Sequence, residues 1–198
     1  MQEELHLAFL GLVIAAAAFG CWKAISTASK GFRLAMKKAG ETYPFRWKSS
    51  TALFERDGVE LAIQSLGGFT EPPRWQAEMS WRGSAKALPR CYVSTHTPAP
   101  FVRSIKLASE VRQAIYVAGH QDKELLRRIF DTAEVRQALQ AVVATPVSMV
   151  YVDWGRLRLS FAGSRRGDAP TEFLGRLFAL GTAVRTSAGV APAAKGWR

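Results

Sequence analysis

Reactive side chains are few in this chain, and their spacing argues against an assembled catalytic centre. The histidines are His6, His96 and His120, and the cysteines are Cys21 and Cys91. Neither His96 nor His120 has a second His or Cys at metal-ligand spacing, so no metal site is expected. His96 reads as a strand-end residue and His120 as a loop residue before a helix. Cys91 follows Arg90 and lies near His96, a neighbourhood of the kind that activates a thiol. A lone cysteine in a strand is more often a small buried apolar residue, and Cys91 is read that way. Asp122 and Asp131 fit as helix caps, and Asp57 and Asp153 as turn residues, which leaves no carboxylate spacing that demands acid–base work. Gly-x-Ser-x-Gly, Walker and dinucleotide fingerprints do not occur. The expectation is a protein that is not an enzyme and carries no cofactor.

Arginine is the plentiful functional side chain. It outnumbers lysine by 18 to 9, which with abundant alanine reads first as the codon bias of a GC-rich, bacterial genome. Arg156 and Arg158 alternate onto one strand face, and Arg165 and Arg166 follow in the adjoining loop. Exposed Trp75, Trp81 or Trp154 would add stacking. Such a set could bind phosphate, lipid headgroups or nucleic acid. A solvated arginine-rich face is the plainer reading. For a tethered chain, lipid or an acidic protein is a more natural partner than nucleic acid.

The tether is the strongest signal. Leu5 to Trp22 is eighteen residues without a charge, and its apolar body includes Leu7, Phe9, Leu10, Leu12, Val13, Ile14, Phe19 and Trp22. As a helix it spans about 27 Å, close to a hydrocarbon core of about 30 Å. Trp22 stands where an interfacial aromatic belongs, with Lys23 next. A secretory signal needs basic residues first, whereas this chain opens Met1-Gln2-Glu3-Glu4. A lipoprotein signal would acylate Cys21, but Ala18-Phe19-Gly20-Cys21 is a poor cleavage box because Phe19 replaces a small residue. Gly11, Ala15 and Ala18 permit close helix–helix approach, although an alanine-rich apolar helix explains them as well.

Charge sets the orientation. Of the net charge of +11, residues 1–22 carry −2, residues 23–50 carry +6 and residues 51–198 carry +7. Lys23, Lys30, Arg33, Lys37 and Lys38 crowd the C-terminal flank, so the positive-inside rule puts the N-terminus outside and the rest in the cytoplasm. The same residues are drawn to anionic headgroups.

The remaining elements must position any surface that functions. Ile25, Ala28, Phe32, Met36 and Ala39 keep helical spacing through the basic stretch, until Gly40 and Pro44 stop it. Asp57-Gly58 reads as a hairpin turn between Thr51–Glu55 and Val59–Leu66. Trp75–Arg82, Cys91–Thr97, Ile105–Leu107 and Ala114–Ala118 read as strands, with Ser109–Ala114 open to a helical reading. Asp122 opens one helix, and the Asp131/Glu134 pair opens another with the stripe Val135, Ala138, Leu139, Val142. Val147–Asp153 and Arg156–Ala162 form a hairpin about Trp154-Gly155, and Thr171 caps a final amphipathic helix.

The predicted class is α+β: a single N-terminal transmembrane helix, then a small domain with an antiparallel sheet and packed helices. The expected divisions are an anchor at 1–22, a basic juxtamembrane helix and connection at 23–50, an α+β domain at 51–188 and a flexible tail at 189–198. The expected function is a single-pass, inner-membrane accessory or scaffold protein that presents a cytoplasmic interaction domain to protein partners. An anionic-ligand binder, an enzyme with an unrecognised site and a cleaved envelope lipoprotein are the alternatives.

Overall fold

In a computed structural model, residues 2–66, 73–81, 88–107, 114–145, 147–153, 155–164 and 166–189 are described. The class is α+β with one large antiparallel sheet, as predicted. The sheet is nine-stranded: β1 (Phe45–Lys48), β2 (Thr51–Arg56), β3 (Val59–Ser65), β4 (Arg74–Trp81), β5 (Cys91–Ser94), β6 (Ser104–Leu107), β7 (Ile115–Ala118), β8 (Val147–Asp153) and β9 (Arg156–Ala162). Their order across the sheet is β1-β2-β3-β4-β9-β8-β5-β7-β6, and every neighbouring pair is antiparallel. The helices are α1 (Gln2–Ala39), α2 (Lys123–Phe130), α3 (Ala133–Val143) and α4 (Thr171–Ser187).

Hairpin chemistry fixes the local registers. Asp57 and Gly58 both take positive φ, 51° and 75°, the backbone a tight two-residue turn requires, and Arg56 pairs with Val59 across it. Gly155, with φ 76°, turns β8 into β9 so that Asp153 faces Arg156. Period-two alternation then sends Val59, Leu61 and Ile63 to one face beside Trp75, Ala77, Met79 and Trp81, all buried. Leu157, Leu159 and Phe161 continue that face across β9. The helices cover it through Leu126, Ile129, Phe130, Val135, Leu139, Leu174, Leu177 and Val184. The other face carries Glu60, Glu78, Tyr92, Tyr116, Tyr151, Arg156 and Arg158 and stays open. One covered and one solvated face is the common state of an antiparallel sheet.

Helix starts follow the capping rules with two departures from expectation. Asp122 accepts from the Leu125 amide at 2.9 Å, as predicted. The cap of α3 is Thr132, whose hydroxyl accepts from the Val135 amide at 3.3 Å, and not Asp131. Asp131 ends α2 instead and pairs with Arg136 at 2.9 Å. α4 begins after Pro170 without a side-chain cap, because Thr171 is already its first helical residue.

α1 is one helix of 38 residues, roughly 57 Å long at about 1.5 Å per residue. Its last turns belong to the domain: Phe32, Ala35, Met36 and Ala39 are buried in the core. Phe32 meets the rings of Trp47 and Trp75 edge-on at 6.0 and 5.3 Å. Gly40 passes so close to Phe45 that a Cβ there would fall 2.5 Å from the ring. Residues 32–48 are therefore part of the packed unit, although the sequence reads them as connection, because Phe32 and Met36 complete a core the strands leave open. The readings placed on 67–72, 108–113 and 190–198 fall outside the described residues.

Candidate functional site: an exposed helix and an arginine cluster

Two surfaces of this molecule are chemically unusual. The first is the N-terminal half of α1. Leu10, Leu12, Val13, Ile14, Phe19 and Trp22 are 47–69% exposed, and among the described residues Phe19 meets only the tilted ring of Trp22 on its own helix, at 6.0 Å between centroids. Contiguous apolar exposure on this scale marks an interaction surface in a folded protein. The side chains of Leu7 and Phe9 lie outside the described residues. Among the described residues no helix is long and apolar enough to cross a membrane. Lys23, Lys30, Arg33, Lys37 and Lys38 are all exposed. Lys23 and Lys30 sit between the bare half and the packed half, whereas Lys37 and Lys38 lie in the last turn, alongside the sheet.

The second surface is on the open sheet face. β9 places Arg156 and Arg158 two residues apart on the same side, and β4 brings Glu78 opposite Arg158. Glu78 binds both guanidinium groups, Arg156 at 2.8 Å through Oε1 and Arg158 at 2.8 and 3.2 Å through Oε2. Arg90 joins from the start of β5 and pairs with Asp153 at 2.9 Å. Tyr92 and Tyr151 face each other across β5 and β8, and Tyr151 is half exposed. With Cys91, Gly119 and Val152 these residues line a concavity of about 780 Å³. Three arginines meet two carboxylates, so the surplus is a single positive charge. An incoming anion must displace Glu78 or Asp153 to gain a bidentate guanidinium contact.

Of the four arginines singled out in the sequence, the three described ones do not form one site. Arg156 and Arg158 lie together, whereas Arg166 follows the far end of β9, roughly 20 Å away at about 3.4 Å per residue. Arg165 and Trp154 lie outside the described residues. Trp75 and Trp81 are buried, 1% and 9% exposed, and offer no stacking surface. Alternation put both on one face, and that face is the one the helices cover; Trp81 spends its N–H on the Gly181 carbonyl at 2.9 Å. Sequence reasoning missed Tyr92, Tyr151, Arg90 and Glu78. Only the β4–β9 and β5–β8 pairings, which join segments far apart in the chain, bring them together.

Cys91 sits under the arginine cluster with its thiol turned into the core. Burial pushes that thiol up to about 12, so at neutral pH it is protonated and a poor nucleophile. A larger groove, about 990 Å³, runs along α3 and α4 between small residues such as Ala138, Ala141, Gly175 and Ala179. Its Arg176 pairs with Glu172 and donates to the Ala141 carbonyl at 3.1 Å. Among the described residues no three His, Cys or acidic side chains converge as metal ligands. The chain matches no family model, and neither curated proteins nor solved structures show a significant likeness to it.

Proposed function

We propose that this chain is a single-pass, membrane-anchored accessory or scaffold protein that presents its α+β domain to protein partners on the cytoplasmic side. One observation carries the reading: α1 is a single helix whose C-terminal turns are core and whose N-terminal half is apolar and bare. Six large side chains left in water cost about 1.5–3 kcal/mol each, on the order of 10 kcal/mol together, comparable to the stability of a whole domain. Lipid removes that cost, and the uncharged stretch Leu5–Trp22, read from the sequence because the side chains before Leu10 lie outside the described residues, is about 27 Å long as a helix. The basic residues on its C-terminal side favour a cytoplasmic domain. Protease added to intact cells should leave the domain uncut and should digest it once the membrane is permeabilised. Efficient digestion in intact cells would refute the orientation.

A second reading, an anionic-ligand site at Arg90, Arg156 and Arg158, draws on the concavity they share with Tyr92 and Tyr151. Lipid headgroups or nucleic acid would then bind with affinity that falls steeply with salt and is lost in R156A/R158A. The internal pairing with Glu78 and Asp153 weighs against it.

A further inference from the structure

The large apolar side chains that remain exposed outside the bare helix are unevenly placed. Among the described residues they are Leu34, Trp47, Leu66, Phe101 and Tyr151. The first three sit at one end of the domain, the end from which α1 departs. Three contacts establish this. Phe32 packs on Trp47 and Trp75, so the α1 axis leaves the sheet past the β1–β2 turn and the start of β4. Leu66 follows directly on the Ser65–Trp75 pair, and its amide donates to the Arg74 carbonyl at 3.0 Å. Leu34 covers Gly167, in the loop that leaves β9 next to Arg74.

The same end is rich in basic residues. Lys30 and Arg33 project from α1, Lys48 from the last position of β1, Arg74 from the first position of β4 and Arg166 from the loop after β9, all exposed. Among the described residues the loop's one acid, Asp168, is engaged by the Ser164 hydroxyl at 2.7 Å.

Distance decides what this end can touch. From Trp22 to Phe32 is ten residues, about 15 Å of helix. Helical side chains lean toward the N-terminus, so the Phe32 ring and its tryptophan neighbours lie nearer to Trp22 than that. The Lys48–Thr51 turn and Leu66 extend one or two residues further, about 3–7 Å. If Trp22 marks the edge of the hydrocarbon, the headgroup layer beyond it is about 5–8 Å deep. The remaining gap is a few ångströms, within reach of a lysine or arginine side chain.

We infer that this end of the sheet is a seat for net-anionic phospholipid: Trp47 and Leu66 face the headgroups while Lys48, Arg74, Arg33 and Arg166 reach toward their phosphates. The inference rests on α1 being the anchor. It assigns headgroup contact to residues from β1, β4 and the β9–α4 loop. It withdraws it from Lys37 and Lys38, which lie more than 20 Å along the helix from Trp22 at about 1.5 Å per residue. That is well beyond a Debye length of about 8 Å from the headgroups.

The test uses the full chain in lipid nanodiscs of neutral phosphatidylcholine, with or without about a third phosphatidylserine to supply the anionic surface potential. Nitroxide-headgroup lipid quenches a fluorophore on Cys21, or on S50C or T186C in a Cys21→Ser background; buried Cys91 stays unlabelled. Ser50 is in the β1–β2 turn, and Thr186 is at the opposite end of α4. The expected result is quenching at Cys21 in every disc. At Ser50, quenching should be several-fold stronger than at Thr186 in anionic discs, and should drop several-fold in K48Q/R74Q. If Cys21 is quenched but Ser50 no more than Thr186, the anchor stands and the seat falls. Equal quenching at Ser50 in neutral and anionic discs also overturns the seat. If Cys21 is not quenched, the anchor fails and the seat with it.

Discussion

Cutting α1 at two places separates its two roles. Removing residues 2–22 takes away no buried side chain among the described residues, since Leu10 to Lys23 are exposed. The domain that remains should fold with unchanged cooperativity. Removing residues 2–39 takes away Phe32 and Met36, 3% and 0% exposed, along with Ala35 and Ala39. Large-to-small changes of this kind cost about 3–5 kcal/mol for Phe and 2–5 for Met. Together that is roughly 5–10 kcal/mol, against a total stability of about 5–15 kcal/mol for an ordinary domain. Trp75 and Trp47 would also lose the ring that covers them. The shorter deletion should therefore give a sharp thermal transition by circular dichroism, and the longer one a molten or insoluble product. A 40–198 fragment that unfolds as sharply as the 23–198 fragment would refute the claim that α1 is part of the core. The single change Phe32→Ala should lie between, lowering stability by about 3–5 kcal/mol.

Four further outcomes are expected. Gly163→Ala places a Cβ 2.2 Å from the Trp75 ring and should lower stability by about 1–3 kcal/mol, seen as a reduced Tm; an unchanged Tm contradicts the packing. Alkylation of the native protein near pH 8 should modify Cys21 and spare Cys91, which is buried and protonated. The Cys91 pKa is raised in the fold from 9.0 to about 12, so its contribution is complete below pH 9 and declines as pH rises toward 12. Cys91→Ala should flatten that part of the stability–pH curve, and identical curves would contradict it. Glu78→Gln removes the carboxylate shared by Arg156 and Arg158. It should cost about 1 kcal/mol or less while strengthening retention on a polyanion column at low salt; unaltered retention would mean the two arginines are not available to anions.

Much of the local structure was legible in the sequence. Asp57-Gly58 and Gly155 announced their hairpins because few residues take positive φ cheaply. Alternation in β4 and β9 grouped Trp75, Met79, Leu157 and Phe161 correctly. Alternation names two faces but not which one the helices cover, so Trp75 and Trp81 looked available for stacking when both are interior. Thr132 and Asp131 are adjacent and both cap well, and the choice between them follows from where α2 ends. The pairing of β4 with β9 joins residues about eighty apart, and local pattern holds no record of it. For that reason the Glu78–Arg156–Arg158 cluster, and its distance from Arg166, had to come from the fold. Phe32 and Met36 showed their helical spacing, yet the charges around them made the stretch resemble a connection.

Under the proposed anchoring, a helix shared without interruption between bilayer and core would behave as a mast. α1 contains no proline, and from Trp22 to Ala39 it runs about 25 Å at roughly 1.5 Å per residue. Tilting it by about 20°, an ordinary angle for a membrane helix, would swing the Ala39 end sideways by about 9 Å. The nine strands bolted to it would travel as one body. Bilayer thickness would then be a mechanical input, moving the open sheet face sideways as the mast leans.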